Sequence, residues 1–119
     1  MKRILIAEDN DVNAKVLTAM LDKTYELERA RTGKEVLQLV GAQHFDLILM
    51  DLEMPELDGW ETTRLLRLNP KMLLTPILAT SAYVNPGDWE SAQLAGCTDY
   101  IAKPYKQDDV LAKVAKYTG

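Results

Sequence analysis

The chain has a single cysteine, Cys97, and a single histidine, His44. A lone cysteine forms no internal disulfide, and one thiol with one imidazole falls short of the four ligands that a structural zinc site requires. No stretch approaches the about 18 consecutive apolar residues of a membrane span, and the N-terminus opens on a strand-like run rather than a signal-peptide segment. Positive charge is in short supply too, with 14 Lys and Arg against 18 Asp and Glu and a net charge of −4. That balance argues against nucleic acid as a direct partner, since phosphate backbones call for clustered Lys and Arg. The expected partners are proteins or a metal cation, with no membrane, and the expected setting is a reducing cytoplasm. Repeats, low-complexity tracts and linkers are absent, so residues 1–119 are expected to form one domain around one core.

Two hydrophobic patterns alternate along the chain. Short apolar runs at Ile4–Ala7, Leu47–Met50, Ile77–Ala79 and Tyr100–Ala102 suit strands buried on both faces of a parallel sheet. Between them lie one-sided stripes at helical spacing: Val12, Val16, Leu17, Met20 and Leu21; then Val36, Leu37 and Val40; then Val110, Leu111, Val114 and Ala115. Tyr25–Ala30 alternates apolar residues with Glu26 and Glu28, as an edge strand would. Asn10 or Asp11, Thr32 and Asn85 before Pro86 are helix-start signals, and a helix over about Gly59–Leu68 has to stop before Asn69-Pro70. Five strand–helix repeats with the polar strand at the margin predict a doubly wound α/β fold of strand order 2-1-3-4-5. The binding crevice then opens beside strands one and three.

The residues expected at that crevice carry one kind of chemistry. Glu8 and Asp9 end strand one, and Asp51 ends strand three, so three carboxylates meet in a small space and repel one another unless a cation shares them. Oxygen-only ligands suit Mg2+, with Mn2+ as a substitute. With such an ion bound, Asp51 becomes a carboxylate nucleophile toward a phosphoryl donor. Lys103, after Tyr100–Ala102 and before Pro104, brings an ammonium to the same edge, where it pairs with Asp51 at rest and with phosphate after transfer. Ser81, ending strand four, offers a hydroxyl to a phosphoryl oxygen.

Together, Ala7-Glu8-Asp9-Asn10, Met50-Asp51-Leu52-Glu53-Met54-Pro55 with Asp58-Gly59, Pro76 to Ala82, and Ala95-Gly96-Cys97 leading to Tyr100-Ile101-Ala102-Lys103-Pro104 resemble a response-regulator receiver domain of two-component signalling. The resemblance spans essentially the whole chain and implies a flavodoxin-like (βα)5 fold. It implies phosphorylation of Asp51 by a histidine kinase or histidine phosphotransfer protein, in a domain that catalyses its own phosphotransfer and dephosphorylation without being a turnover enzyme. Asp9, Asp51 and the Glu53 backbone carbonyl would hold Mg2+, with Glu8 acting through water. Ser81 stands where the family usually has threonine, and Thr80 takes a position normally apolar, its side chain turned to the other face by strand alternation. The resemblance also implies a switch: Ser81 moves toward phosphate, Tyr100 turns inward, and the helix 4–strand 5–helix 5 face is remodelled for a downstream protein target or a phosphorylation-dependent homodimer. Glu53 and Tyr83, each two residues past a site residue, flank the hydrolytic water's route and predict a long-lived phospho-Asp51. The Glu8–Asn13 pattern resembles both hybrid-kinase receivers and stand-alone regulators, and a stand-alone regulator is the expectation.

Other functions fit less well. A flavodoxin-like cofactor binder needs a hydroxyl- and glycine-rich loop after strand one, where Glu8-Asp9-Asn10-Asp11 would repel a flavin phosphate. An aspartyl-phosphate hydrolase places a second aspartate where this chain has Glu53, and carries a substrate cap absent here. A receiver-like interaction module that never takes phosphate would have no use for the full residue set. Cys97 and the methionines are expected as packing, His44 as a solvated loop residue, Asp58 as a local cap, and Trp89 as either partner surface or half-buried packing.

Overall fold

The computed structural model describes residues 1–82 and 85–119. Among these residues, parallel strands β1 (Arg3–Ala7), β2 (Glu26–Ala30), β3 (Leu47–Asp51), β4 (Ile77–Ser81) and β5 (Asp99–Ala102) form one sheet in the order β2-β1-β3-β4-β5. Parallel neighbours require crossovers, and these are the helices α1 (Asp11–Leu21), α2 (Gly33–Ala42), α3 (Gly59–Arg67) and α4 (Pro86–Ala95), with α5 (Gln107–Thr118) closing the chain. This is the doubly wound α/β architecture that the patterning predicts.

Strand alternation divides the core in two. Leu5, Ala7, Ile48, Met50, Ile77 and Ala79 face α2, α3 and α4, where Val36, Leu66 and Ala92 meet them. Ile4, Ile6, Leu47, Leu49, Leu78 and Ile101 face α1 and α5, packing on Leu17, Leu21, Val110 and Val114. Each fully buried Leu or Ile contributes about 1.5–3 kcal/mol, so the central strands β1, β3 and β4 anchor the sheet. β2, at the edge, exposes Glu26 and Glu28 as its alternation predicts; Tyr25 is buried but precedes the strand.

The helix starts follow their caps. Asn10, Thr32, Asp58 and Asn85 each accept a hydrogen bond from the backbone N–H three residues on, an interaction worth about 1 kcal/mol apiece. α3 stops at Arg67, and Asn69 then caps a single 3-10 turn, Pro70–Met72, which the sequence patterning does not predict.

The α1 stripe needs correction. Ala14, Leu17 and Leu21 are its buried face, while Val12 is 68% exposed and Val16 36% exposed. At about 100° per residue, Val12 and Val16 project away from the direction shared by Ala14, Leu17 and Leu21, so neither valine belongs to the core stripe. Ala115 of α5 is likewise exposed.

Two glycines let the elements close up around the strand ends. A Cβ on Gly59 would lie 2.4 Å from the backbone oxygen of Asp51 and 2.7 Å from the Cα of Leu52. A Cβ on Gly33 would lie 2.2 Å from Thr62 Oγ1, blocking the approach of α2 to α3.

Candidate functional site

The C-terminal ends of β1, β3, β4 and β5 converge on one edge, and the chemistry-bearing side chains gather there. Glu8, just past β1, continues the sheet through its N–H to Ala30 O at 3.0 Å and is 1% exposed. Asp51, the last residue of β3, is 2% exposed. Between them stands Lys103, whose Nζ is 3.1 Å from Glu8 Oε1 and 3.1 Å from Asp51 Oδ2. Two buried carboxyls therefore share one ammonium.

The remaining oxygens are held from the backbone. Asp51 Oδ1 accepts from the Glu53 N–H at 3.0 Å, and Glu8 Oε2 from the Asn10 N–H at 3.4 Å. Burial and the Glu8 carboxyl beside it push Asp51 up to about 7, against the opposing pull of the Glu53 N–H and Lys103. Burial also works against ionisation of Glu8, but the hydrogen bond from Asp51 and the charge of Lys103 outweigh it and hold Glu8 below its ordinary value. Burial opposes the charge of Lys103, yet the two carboxyls raise its affinity for a proton. Without a cation the two carboxyls titrate as a coupled pair that keeps one proton longer than isolated carboxyls would, with Asp51 raised and Glu8 lowered.

Asp9 completes the cluster from an exposed position, and carboxylate oxygens of Glu8, Asp9 and Asp51 all lie within 4.8 Å of one another. The donors are all oxygen, the set that suits a hard divalent cation such as Mg2+. Asp11 belongs elsewhere. Hydrogen bonds from Arg29 and Arg31, each at 2.9 Å, occupy it and hold its carboxyl below the usual range.

Ser81 ends β4 almost fully buried, and its Oγ donates to Glu53 Oε1 at 3.4 Å. The register pairs Asp51 with Thr80 and Ser81 with Ala102, and the Lys103 N–H donates to Ser81 O at 2.9 Å. Tyr100 lies on the α4 side of β5. Its ring centroid is 5.0 Å from that of Trp89, and Lys113 Nζ sits 4.3 Å above it. A narrow cavity lined by Leu52, Ala79, Ser81, Trp89, Ala92 and Tyr100 joins the hydroxyl to the aromatic pair. Trp89 is therefore half-buried packing against Tyr100.

An aspartate ends a central strand, a lysine just past β5 reaches it and a hydroxyl ends the strand between them, and residues 4–115 match the response regulator receiver domain. The chain belongs to the response regulator receiver family. This receiver is similar to the polar-differentiation response regulator DivK of Brucella ovis, 35% identical over 119 residues that cover 99% of this chain and 97% of that one. Among solved structures it is similar to the receiver domain of a Pseudomonas aeruginosa sensor histidine kinase, which has a magnesium ion coordinated in its active site cleft. Identity there is 35% and the TM-score 0.92, over 99% of this chain and 98% of the other. The receiver domain of a Saccharomyces cerevisiae response regulator, co-crystallised with its histidine phosphotransfer signalling protein, is 28% identical with a TM-score of 0.91, over 98% and 88% of the two chains. The receiver fold accounts for the strand order of this chain, and no helix among its described residues is long and apolar enough to cross a membrane.

Of the residues predicted from sequence, Glu8, Asp9, Asp51 and Lys103 come together directly. Ser81 and Glu53 meet each other at the mouth, and Tyr100 stands apart across the cavity. Tyr83 lies outside the described residues. His44 is exposed with Asp46 as its partner at 3.1 Å, Cys97 is buried, and Asp58 caps α3. Two residues at the site escaped the sequence reading. Arg29 donates through Nε to Glu8 O at 3.0 Å, and the Tyr105 hydroxyl donates to Glu8 Oε1 at 3.3 Å. Arg29 comes from β2, whose pattern carries no site signal, and Tyr105 is the residue just past Lys103-Pro104.

Proposed function

We propose that Asp51 is the phosphoacceptor of a phosphorelay, charged by a histidine kinase or a histidine phosphotransfer protein and discharged by hydrolysis. The observation that carries this reading is Lys103 Nζ at 3.1 Å from both Glu8 and Asp51, inside a cluster completed by Asp9. Asp9, Asp51 and the Glu53 backbone carbonyl would hold Mg2+, or Mn2+ in its place, with Glu8 acting through water. The ion would supply neutralisation of the charge on the phosphoryl group in transfer.

The chain's own residues do the rest. A carboxylate oxygen of Asp51 forms the new bond to phosphorus as the bond from phosphorus to the donor's imidazole nitrogen breaks, and the electron pair leaves with the imidazole. Lys103, already against Asp51, turns its ammonium to the phosphoryl oxygens. Ser81 exchanges its bond to Glu53 for one to a phosphoryl oxygen. Val12 and Val16, exposed on α1, offer the donor protein an apolar contact.

The cavity between Ser81 and Tyr100 supports the switch. As Ser81 shifts toward phosphate, Tyr100 turns into the vacated space and the surface of α4, β5 and α5 changes for a downstream protein or for a second phosphorylated copy. Glu53 at the mouth narrows the path of attacking water, which supports a long-lived phospho-Asp51.

Acetyl phosphate with Mg2+ tests the reading by intact-protein mass spectrometry. One labile phosphoryl adduct is expected, absent in Asp51→Asn. No adduct from acetyl phosphate or from any phosphohistidine donor would leave a passive interaction module.

A further inference from the structure

Tyr105 follows Lys103 by two residues, in the segment that joins β5 to α5. Its ring packs, half-buried, against the α1 and α5 side of the core, the side opposite to Tyr100. From there its hydroxyl reaches the acid cluster and donates to Glu8 Oε1 at 3.3 Å. The same oxygen is 3.1 Å from Lys103 Nζ, while Oε2 accepts from the Asn10 N–H at 3.4 Å. Glu8 is held by three donors from two segments of the chain, Asn10 after β1 and Lys103 and Tyr105 after β5.

A second hydroxyl stands behind the first. Thr80, 1% exposed, is paired in register with Asp51, and alternation along β4 turns its side chain to the face of Leu78, away from Ser81. There it is near enough to Tyr105 to ease the ionisation that burial opposes. A phenylalanine at position 105 would fill the same space, so the Tyr105 hydroxyl adds only its bond to Glu8.

We infer that Tyr105 is a positioning residue for the cation site: its hydroxyl fixes the Glu8 carboxylate in the orientation from which Glu8 serves the ion. The role rests on the phosphoacceptor reading of the cluster. A carboxylate that acts on a metal from outside its direct ligand shell depends on its own hydrogen-bond partners for orientation. Lys103 cannot do this alone, because it also has to serve Asp51 and, after transfer, phosphate.

The test is Mn2+ binding, followed through the electron paramagnetic resonance signal of the free ion, in the wild-type chain, Tyr105→Phe, Glu8→Gln and the double variant. Tyr105→Phe keeps the ring and removes only the hydroxyl. It is expected to weaken Mn2+ binding by about threefold to tenfold, at or below the loss usual for outer-shell partners. In the Glu8→Gln background the same change is expected to shift affinity by less than about twofold, because the two residues act as one unit. Unchanged affinity in Tyr105→Phe overturns the role, whether or not the variant melts earlier. So does an equal loss in both backgrounds, which would place the effect outside Glu8. A wild-type chain that binds no Mn2+ overturns the phosphoacceptor reading itself, and that result is distinct from the other two.

Discussion

The ammonium of Lys103 lies 3.1 Å from Asp51 Oδ2, at a depth where the side chains are 16% and 2% exposed. So close a pair would normally hold the carboxyl well below its usual range. Asp51 goes the other way, because burial and the Glu8 carboxyl outweigh one shared ammonium. The site therefore gains a buried negative charge when Asp51 ionises, and its stability is linked to pH.

That linkage has a sign. Asp51 is pushed up to about 7 in the folded chain from the ordinary 3.8. Between those values the native state keeps a proton that the unfolded chain has released, so stability falls as pH rises, and the Asp51 contribution is lost above the upper value. Glu8, lowered from 4.5, works in the opposite sense, but only below that value. Urea unfolding in chelator is expected to lose about 1–3 kcal/mol between pH 5 and pH 8. The Asp51→Asn chain should lack this slope and be the more stable of the two at pH 8, and Mg2+ should restore wild-type stability there. A metal-free wild-type profile that climbs over the same range contradicts the proton retained by the pair.

Gly59→Ala tests how tightly α3 is set against the end of β3. The new methyl would meet the Asp51 carbonyl oxygen at 2.4 Å, and backbone cannot give way as a side chain can. The expected cost is about 1–3 kcal/mol in stability, together with slower labelling by acetyl phosphate, since relief of the clash moves Asp51. Unaltered melting and labelling would show that the helix start is looser than its packing implies.

The contact between Trp89 and Tyr100 would give an optical reading of the proposed switch. With their centroids 5.0 Å apart, any turn of Tyr100 toward Ser81 alters the surroundings of the Trp89 indole. In a Trp60→Phe background, beryllofluoride with Mg2+ is expected to change Trp89 emission, and Ser81→Ala should abolish most of that change. Identical spectra with and without the phosphoryl mimic would remove the coupling between β4 and β5.

Arg67 has a structural task far from the acid cluster. It donates to Gly96 O at 2.9 Å and Thr75 O at 2.8 Å, and also to Met72 O and Thr98 Oγ1, tying the end of α3 to the loops that enter β4 and β5. Burial lowers its affinity for a proton. Arg67→Ala strands several carbonyls and is expected to cost about 2–4 kcal/mol by chemical denaturation. Mn2+ affinity of the folded fraction should stay as in wild type; a matching loss of affinity would mean the loops transmit to the site.

Much of this arrangement is legible along the chain because it depends on local pattern. The unbroken apolar runs at Leu47–Met50 and Ile77–Ala79 demand burial on both faces, and such strands pair in parallel with helices between them. The caps at Asn10, Thr32 and Asn85 act within three residues of themselves, so they are visible in the sequence. The acid pair, Asp51, Ser81 and Lys103 stand at strand ends, and a parallel sheet brings all its C-terminal strand ends to one edge.

Contacts set by faces and angles are not legible in that way. Val12 and Val16 have the composition of core but the direction of surface, a distinction decided by how α1 lies on the sheet. Which carboxyl keeps the proton depends on depth and on one ammonium shared between two acids, and neither is a property of spacing. Tyr105 reads as one more aromatic after Lys103-Pro104, and Thr80 as one more strand threonine. The sequence by itself determined the fold and the strand order, and brought Glu8, Asp9, Asp51 and Lys103 to one edge, because hydrophobic period and strand-end position are local. Only the tertiary structure decided the electrostatics of Asp51 and the bonds that Arg29 and Tyr105 make to Glu8, because these arise where segments far apart in sequence share a few ångströms of low-dielectric space.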